Sequence, residues 1–536
     1  MKIICRKSNL SKVQAHLARQ ILAQHFPNVS IDFLFKETRG DLDQTTPLYE
    51  MPDKNVFSSD IDAALLRGSA DFAVHSLKDV GEERLLSEGD FHAAVFEREL
   101  PHDVVIFKPS ILDILRKKTT LNIGTSSLRR EELVPRFLQK ALPFEQNFKN
   151  FQGKALEISI KPIRGNVETR LRKLIDSDEY DGVVLAAAGL NRLLHSEFSH
   201  EVKTLLHGTL KMWLPLVECP PALGQGALLI ECLKTNTQAV EMLKSIDNQQ
   251  LKTQLLAERA ATLDFGKGCH QRFGAIFIEN RDGSDLVVSA GKTARGQSAN
   301  RFVFEVDKRL ENKKIVSTTD FMRDFFDYDF FDKNLINNTL RNYNFLNSTF
   351  FVAHHRAATA EILPILRGPS ISDFGFQISE NAPQSEIRNP KSNVWVSGTK
   401  TWFELAKKGI WVEGCADGFG IDFLKNIWQS PLAAVSEPEI ILLTNEHSAI
   451  DWQKEGRKAI ATYRLVPNPS EGLITALKSA EAVFWTSFKQ FEACKSFVTE
   501  GVLHACPAGK TARKLRELGL EPAVFPSIKA FLSCGY

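Results

Sequence analysis

The stretch Asp181-Gly-Val-Val-Leu-Ala-Ala187 decides the fold class, because it is apolar beyond its first residue. An uninterrupted apolar run of this length is typical of a strand in a parallel sheet that is covered on both faces. Outward from it, strand-like and helix-like segments alternate over the first 300 residues. Strands are predicted at 31–35, 71–75, 121–124 and 158–160, and helical periodicity at 59–66, around 133–138, at 167–174 and at 251–263. This alternation indicates an α/β protein, in which ligands bind at the carboxyl ends of the strands.

Length and composition bound the class of protein. The chain has 536 residues, which corresponds to three or four domains at ~150 residues each. Hydrophobic residues make up 43% and charged residues 25%, as in ordinary soluble proteins. The net charge is +2, so the composition gives no sign of nucleic-acid binding. No membrane span or signal peptide is evident, and a cytoplasmic protein is expected.

The eight cysteines are scattered and form no C-x-x-C pair, so neither a disulfide framework nor a metal site is expected. Two segments look like boundaries. The pattern weakens at 281–300, which predicts a domain junction, and 368–393 is rich in Pro, Ser and Asn, which predicts an internal connection.

A faint internal repeat occurs in the C-terminal part. Residues 398–410 resemble 508–520, and each copy predicts a helix with Thr near its start and Gly at its end, followed by a strand. Two copies indicate two similar α/β lobes around a cleft. A chance match is the alternative, since the shared pattern is largely that of any capped helix.

Arginines recur where predicted strands turn into helices. They occur in Gly124-Thr-Ser-Ser-Leu-Arg-Arg130, in 161–170, in 188–192 and in Arg6-Lys7-Ser8. Helix N-termini favour anions, and arginine binds carboxylates or phosphates bidentately. A single such arginine is better explained as a solvated side chain, but several at equivalent positions favour a shared polyanion site. The spacing does not distinguish phosphate from carboxylate.

Two residues are candidates for chemistry. Asp79 follows a predicted strand; such an Asp is more often a cap, but among arginines it would stay ionised and could stabilise a cation or transfer a proton. Cys269 lies on the loop Gly266-Lys-Gly-Cys269, where glycine and Lys267 favour an exposed thiolate. A nucleophilic or covalently modified cysteine is plausible there, whereas the His partner of a cysteine peptidase is not identifiable.

These segments together resemble the hydroxymethylbilane synthase family, also called the porphobilinogen deaminases. The ordered motifs are Arg6-Lys-Ser8 with Gln14-Ala15, Thr38-Arg-Gly-Asp41, Ala73-Val-His-Ser-Leu-Lys-Asp-Val80, Gly124 to Arg130, Ile163 to Arg170, Ala187 to Leu190 with Arg192, Pro221 to Ala227, Glu258-Arg-Ala260 and Gly268-Cys269. They cover roughly residues 1–300.

The resemblance implies a transferase that condenses four porphobilinogen molecules and releases ammonia. It implies three domains like those of periplasmic binding proteins, at 1–100 plus 208–230, 101–207 and 231–300. It also implies a covalent dipyrromethane cofactor on Cys269, with Asp79 as the catalytic residue. The implied cofactor-binding residues are Cys269, Lys78, Thr125, Ser126, Ser127, Arg129, Arg130 and Arg192. The implied substrate-binding residues are Arg6, Ser8, Arg164, Gly165 and Arg170. A monomer that contacts neither nucleic acid nor membrane is expected.

Residues 301–536 resemble uroporphyrinogen-III synthase more weakly, through Ile440 to Asn445, Ala461 to Pro467, Val483 to Ser487 and Ala508 to Pro526. That family is a two-lobed α/β lyase that inverts ring D and closes the tetrapyrrole. The resemblance makes Tyr463, Ser487 and Thr511 candidate cleft residues, with a first lobe from about 300 to 395. Two alternatives stay open: a deaminase with a non-catalytic appendage, and a carboxylate-binding protein without catalysis, which would need neither Asp79 nor Cys269.

Overall fold

The computed structural model describes residues 1–38, 59–143, 156–265, 272–280, 282, 284–321, 325–341, 343, 345, 348–367, 393–435 and 440–535. Within these ranges the chain forms five β-sheets, numbered here in chain order. No helix in the same ranges is both long enough and apolar enough to cross a membrane. The structure is a mixed α/β protein.

The first sheet has the strand order β2-β1-β3-β10-β4. Its strands are β1 Lys2–Arg6, β2 Asp32–Lys36, β3 Phe72–Ser76, β4 Phe91–Arg98 and β10 Ala227–Leu233. Its helices are α1 Asn9–His25, α2 Ser59–Leu66, α3 Glu82–Leu85, α9 Thr237–Ile246 and α10 Gln249–Ala260. β1 runs parallel to β2 and β3, whereas β10 is antiparallel to both its neighbours. Met242 and Leu243 of α9 lie in the core of this sheet, although the predicted third domain began at residue 231.

The second sheet has the order β7-β6-β8-β5-β9. Its strands are β5 Asp103–Phe107, β6 Thr120–Gly124, β7 Glu157–Lys161, β8 Gly182–Ala186 and β9 Leu210–Trp213. Its helices are α4 Ile111–Lys117, α5 Leu128–Ala141, α6 Val167–Asp176, α7 Ala187–Leu194 and α8 Ser199–Leu206. The apolar stretch 181–187 contains the central strand β8. Val184 lies in one core cluster and Val183 with Leu185 in another, so the strand is covered on both faces.

Two crossover segments, 99–102 and 214–226, connect the first and second sheets. They lie side by side: the Glu99 N–H donates to the Gly226 carbonyl at 3.0 Å, and Gln225 Nε2 donates to the Pro101 carbonyl at 2.6 Å. Gly226 has φ +88°, and a Cβ there would lie 2.2 Å from the Glu99 carbonyl oxygen, so only glycine allows this approach. The paired crossovers form the hinge between the two sheets.

The third sheet is antiparallel and consists of β11 Phe273–Ile278, β12 Leu286–Lys292 and β13 Ser298–Val303. The prediction of a domain junction at 281–300 is therefore wrong, because β12 and the start of β13 lie in that segment, inside one sheet. The small residues of this segment allow neighbouring backbones to approach closely. Gly291 has φ +139°, and a Cβ there would lie 2.2 Å from the Arg272 carbonyl oxygen. The buried Glu258 joins this sheet to the hinge by accepting from the Phe277 and Gly224 N–H groups, both at 3.0 Å.

The rest of the chain forms two sheets, and the strands of one sheet lie in the sequence between the strands of the other. The fourth sheet, order β14-β21-β22-β23, contains β14 Ile315–Ser317, β21 Ala482–Phe484, β22 Leu503–Pro507 and β23 Ala523–Phe525. The fifth, order β15-β20-β19-β16-β17-β18, contains β15 Phe326–Phe330, β16 Thr349–Val352, β17 Asn393–Val396, β18 Gly414–Cys415, β19 Ile440–Asn445 and β20 Lys458–Pro467. The lobe boundary expected near 395 is wrong, because β17 pairs with β16 inside the fifth sheet while β14 pairs with the distant β21.

The helices of these two sheets include both copies of the sequence repeat. They are α11 Lys333–Leu340, α12 Leu363–Arg367, α13 Thr399–Ala406, α14 Lys425–Gln429, α15 Glu446–Lys454, α16 Glu471–Lys478, α17 Phe488–Cys494, α18 Lys510–Glu517 and α19 Ile528–Ser533. α13 connects β17 to β18 and α18 connects β22 to β23, both pairs being parallel. Gly409 and Gly519 follow these helices with φ +75° and +78°. Each sheet thus contains one copy of the same β-α-β unit. The predicted connection 368–393 lies almost entirely outside the described residues.

The fifth sheet packs directly on the second sheet. The Trp213 N–H in β9 donates to the Glu413 carbonyl at 2.6 Å, beside β18. Trp402 Nε1 donates to the Ala141 carbonyl at 3.1 Å, and its ring meets Phe137 edge to face at 5.1 Å. One core cluster includes residues of both sheets. The N-terminal and C-terminal parts therefore share a hydrophobic core.

Candidate active site

The carboxyl ends of β1 and β3 bring the first set of predicted site residues together. Because these strands are parallel neighbours, Arg6 at the end of β1 lies on the same sheet edge as the short turn Leu77–Asp79 that follows β3. Lys78 and Asp79 are both exposed on this turn. The first sheet therefore presents two cations and one carboxylate along one edge.

Local capping fixes this edge. Ser8 is the N-cap of α1, and its Oγ accepts from the Ser11 N–H at 3.3 Å. Gln14, which is buried on α1, donates from Nε2 to Ser76 Oγ at 3.0 Å and so ties the helix to the end of β3. Ser8 thus shapes the backbone beside Arg6, and Gln14 holds the start of the Asp79 turn.

The corresponding edge of the second sheet is built from the loops after β6 and β7. Ser126 Oγ donates to the Ile163 carbonyl at 2.7 Å and accepts from the Ile163 N–H at 3.1 Å, which joins the two loops. Ser127 is the N-cap of α5, and Thr125 Oγ1 accepts from the Ser127 N–H at 3.3 Å. The hydroxyl groups of these predicted cofactor-binding residues therefore stabilise the loops after β6 and β7.

Gly165 and Arg170 form a second unit on that edge. Gly165 has φ +108°, and a Cβ there would lie 2.6 Å from Thr169 Cγ2, so the position requires glycine. Its carbonyl accepts from Arg170 Nε at 2.8 Å. This bond orients the guanidinium. Arg164 is only 6% exposed, and its charge acts on Arg170.

The two edges lie close enough for their charges to interact. The pKa of Arg170 is lowered to about 10, mainly by burial and then by the charges of Arg130, Arg164 and Arg6, while Asp79 opposes the shift. Arg6 and Asp79 belong to the first sheet, whereas the other three arginines belong to the second. Like charges held this close destabilise one another unless an anion compensates them. The cleft between the sheets is therefore suited to a ligand with several carboxylates or phosphates.

Lys78 is also affected by the charges of both edges. Burial lowers the pKa of its ammonium, Asp79 raises it, and Arg130 and Arg129 lower it. The side chain is reached by solvent, yet protein from both sheets surrounds it. A lysine in this setting loses its proton more readily than one on an open surface.

Arg129 and Arg130 form ion pairs with a carboxylate of the protein itself. Arg129 Nη2 and Arg130 Nη2 each donate to one oxygen of Asp103 at 2.7 Å, and Gln225 Nε2 donates to Asp103 Oδ1 at 2.9 Å. The Asp103 side chain is fully buried, and the two guanidinium groups hold its pKa well below the ordinary range against the opposing effect of burial. Sequence reasoning missed Asp103; an acidic residue that begins the apolar strand Asp103-Val-Val-Ile-Phe107 was the available signal.

Arg192 also makes a contact between the sheets. It is buried on α7 and donates from Nη2 to Glu97 Oε1 at 2.8 Å and to the Gly226 carbonyl at 2.7 Å. Glu97 lies on β4 of the first sheet. The structure thus gives Arg192 a hinge contact, which the implied cofactor role did not anticipate.

The predicted cofactor attachment, Cys269, lies outside the described residues. The structure does place the start of β11, four residues later, against the hinge: the Ala275 N–H donates to the Pro221 carbonyl at 3.1 Å. Pro220, next to it, accepts from Arg129 Nη1 at 2.9 Å. The converging cations fit a polycarboxylate such as a dipyrromethane bearing acetate and propionate groups.

A buried ionic network under the Asp79 turn was also missed. His75 Nε2 lies 3.1 Å from Glu231 Oε1, and Arg84 Nη1 donates to both Glu231 oxygens at 3.0 Å. Arg84 Nη2 donates to Asp62 Oδ2 at 2.6 Å. Asp62, His75 and Glu231 lie close enough to share a metal ion, but Arg84 already bridges the two carboxylates. His75 and Arg84 flank Asp79 in sequence, so this network anchors both sides of its turn.

The three C-terminal candidates lie in two different sheets. Ser487 caps α17 after β21, and Thr511 begins α18 after β22, so both occupy the carboxyl edge of the fourth sheet. Tyr463 lies on β20 of the fifth sheet, is 2% exposed and packs against Tyr328 at 5.7 Å. Burial raises its pKa to about 12.

A cation bridge joins the helices of these two sheets. Asp451 on α15 lies 2.6 Å from Lys510 Nζ and 3.0 Å from Lys514 Nζ on α18. These ammonium groups hold the Asp451 pKa at about 2 although burial opposes them. The bridge brings the start of α18, where Thr511 lies, next to the fifth sheet.

A family model described as "Porphobilinogen deaminase, dipyromethane cofactor binding domain" matches residues 1–241. The chain is similar to a probable porphobilinogen deaminase of Pyrobaculum islandicum, at 34% identity over 298 residues, covering 55% of this chain and 88% of that protein. It is similar to a porphobilinogen deaminase of Synechococcus elongatus, at 34% identity over 278 residues, covering 51% and 77%.

Among solved structures, the periplasmic aliphatic sulphonate binding protein SsuA from Escherichia coli is 13% identical, with a TM-score of 0.23, covering 49% of this chain and 74% of that chain. The range matched by the family model contains both hinge crossovers and the site residues from Arg6 to Arg192.

Proposed function

This chain belongs to the porphobilinogen deaminase family, and we propose that it condenses four porphobilinogens head to tail on a dipyrromethane attached to Cys269 and then cyclises the product. The first activity is assigned to the first three sheets and the second to the fourth and fifth sheets. The family model identifies the N-terminal part as the dipyrromethane-binding domain. Attachment at Cys269 and the cyclisation are our proposals.

The observation that carries the deaminase proposal is the convergence of cations from two sheets around Asp79. Arg6 comes from the first sheet and Arg164 and Arg170 from the second, and the charges of Arg6 and Arg164 both act on Arg170. Porphobilinogen carries one acetate and one propionate, so each added unit brings two carboxylates. Guanidinium groups bind such carboxylates bidentately and fix their orientation.

When bound, the dipyrromethane supplies the pyrrole end that is extended. Asp79 lies on an exposed turn at the same sheet edge as Arg6. As porphobilinogen loses ammonia, its C–N bond breaks and positive charge develops on the pyrrole methylene. A carboxylate placed there stabilises that charge and accepts or returns a proton during the addition. The buried network of His75, Glu231 and Arg84 holds the Asp79 turn in place.

The proposal for the C-terminal part is supported by its two β-α-β units of similar sequence on neighbouring sheets. The bridge between Asp451 and Lys510 sets the start of one repeat helix against the other sheet. Cations and buried aromatic residues at these edges suit a linear tetrapyrrole with many carboxylates. A fused second enzyme also raises the effective concentration of its site for a product that closes spontaneously to another isomer.

The test is to incubate the purified full chain with porphobilinogen and to identify the uroporphyrinogen isomer. Isomer III is expected. Isomer I alone would contradict the cyclising activity and favour a non-catalytic C-terminal part, while no consumption of porphobilinogen would contradict the deaminase assignment.

Two variants separate cofactor attachment from turnover. Cys269→Ser is expected to lose the dipyrromethane mass increment, whereas Cys534→Ser, a control at a half-exposed thiol, retains it. Asp79→Asn is expected to retain the increment and to lose about 10²–10⁴-fold in rate, the usual contribution of a general acid–base group. An increment that survives Cys269→Ser, or near-normal turnover in Asp79→Asn, would remove that residue from its role.

A further inference from the structure

The C-terminal part holds one crossover of the deaminase hinge through Asp417. This residue follows β18, and its carboxylate accepts from the Leu216 N–H at 2.9 Å and from the Val217 N–H at 3.3 Å. Leu216 and Val217 belong to the crossover 214–226. The contact spans about 200 residues of sequence and is buried on both sides. The carboxylate thus satisfies two buried backbone N–H groups, which would otherwise need hydrogen-bond acceptors within the crossover itself.

The backbone around Asp417 is shaped for this contact. Asp417 has φ +52°, a left-handed conformation that non-glycine residues rarely adopt. Bonds on both sides hold it there: the Ala416 N–H donates to the Val396 carbonyl and the Gly418 N–H to the Ser397 carbonyl, both at 2.9 Å. A strained residue maintained by its surroundings indicates a position where geometry matters.

The second crossover, 99–102, is held as well. Asn191 is fully buried on α7; its Nδ2 donates to Glu99 Oε1 at 3.3 Å, and its Oδ1 accepts from the Leu432 N–H at 3.3 Å. The His102 ring meets Phe423 at 6.5 Å in an edge-to-face arrangement. Leu432 and Phe423 both belong to the C-terminal part. Independent contacts therefore restrain both strands of the hinge.

The hinge sets the separation of the two halves of the deaminase cleft. Arg6 and Asp79 lie on one side of it, and Arg164 and Arg170 on the other. The Pro220 carbonyl, which accepts from Arg129, is three residues from Val217 on the same crossover. A change in hinge angle therefore alters how many arginines reach one substrate at once.

We propose that the C-terminal part is a positioning element for the deaminase: Asp417, with Leu432 and Phe423, restrains the hinge and so keeps the two cation-bearing edges at their working separation. This inference rests on the proposed deaminase function. It assigns to the C-terminal part a role that does not depend on its own catalysis. Asp417 acts through the hinge and touches no substrate.

The test uses Asp417→Asn in the full chain. The amide keeps an oxygen for one N–H but loses the second acceptor, so the hinge opens more often. Hydrogen exchange of the peptide containing Leu216 and Val217 is expected to accelerate about 3- to 10-fold, the equivalent of one lost hydrogen bond. Because only the restrained hinge is binding-competent, the KM for porphobilinogen rises about threefold or more while kcat at saturation is retained.

The matched control is Asp422→Asn, five residues away, whose carboxylate pairs with Arg457 at 3.0 Å inside the C-terminal part. It should leave hinge exchange and KM unchanged. If Asp417→Asn is not obtained folded, Phe423→Leu, which removes the ring against His102, is expected to change exchange and KM in the same direction.

The outcomes separate this inference from the proposed function. Faster hinge exchange with unchanged KM would overturn the positioning role, as would unchanged exchange in a folded Asp417→Asn protein. Failure of the wild-type chain to consume porphobilinogen would instead contradict the deaminase function. A fall in kcat with unchanged KM would also contradict the inference, because a hinge restraint acts on the competent population.

Discussion

Replacing Asp103 with Asn tests the buried ion-pair centre of the second sheet. The Asp103 carboxylate is inaccessible to solvent and accepts from Arg129 and Arg130 at 2.7 Å each. Asn preserves the shape but leaves two buried guanidinium groups without their anion. Removing one partner of a buried ion pair costs about 3–5 kcal/mol. A loss of that size in the free energy of unfolding is expected for Asp103→Asn at neutral pH.

The pH dependence of the loss has a definite sign. Because the folded-state pKa of Asp103 lies below its ordinary value of 3.8, its contribution is fully present above about pH 4 and is lost as the pH falls through the folded pKa. The wild-type protein therefore loses this stabilisation in acid. Asp103→Asn has already lost it at pH 7, so the difference in stability between the two proteins should begin to shrink below about pH 4.

The assay is urea unfolding followed by tryptophan fluorescence between pH 3 and 8, with intact mass to report dipyrromethane content. The control is Asp113→Asn, whose exposed carboxylate pairs with Arg116 at 2.9 Å and should change stability by less than about 0.5 kcal/mol. An Asp103→Asn protein as stable as this control at pH 7 would refute the reasoning, because the guanidinium groups would then not need the charge.

Three further variants test other parts of the structure. Arg170→Gln should raise the KM for porphobilinogen about 10-fold or more, since a charged hydrogen bond is lost, whereas Arg172→Gln on the exposed face of the same helix should change it less than about twofold. Trp402→Ala should cost about 3–5 kcal/mol and accelerate hydrogen exchange in 128–143, while Trp428→Ala, on α14 with its ring against Phe351 and Trp395 of the fifth sheet, should leave exchange there unchanged. Burial raises the Asp417 pKa from 3.8 to about 7, so the stability of the wild-type protein should fall as the pH rises from about 4 to 7, by up to ~1.4 kcal/mol per pH unit. Asp417→Asn should lack that fall.

The parts of the site that the sequence predicted follow from one rule of parallel sheets. Side chains just after parallel strands meet at one edge of their own sheet, so Arg6 could be grouped with Asp79, and Arg164 with Arg170, without coordinates. The roles of Arg129 and Arg130 could not be found this way. Their partner Asp103 lies at the start of a strand in another part of the sequence, and only the packed hinge brings the three together.

The errors have a common physical origin in contacts between distant segments. The segment 281–300 looked like a junction because its residues are small and polar, yet small residues are what the close approach at Gly291 demands. The lobe boundary near 395 assumed that each lobe is continuous. Pairing of β14 with β21 joins segments about 165 residues apart, and neither periodicity nor local propensity reports such a pairing.

The near-zero net charge of the chain conceals how its charges are placed. Cations converge at the deaminase cleft, whereas the surface between the second and fifth sheets is built from apolar groups and backbone bonds, such as that between Trp213 and Glu413. A flexible tether would raise only the effective concentration of one site near the other. A packed interface also fixes their orientation, so motion of the hinge between the first and second sheets is transmitted to the fifth sheet. The shared core therefore couples the two proposed activities mechanically, through residues that are proposed to take part in neither reaction.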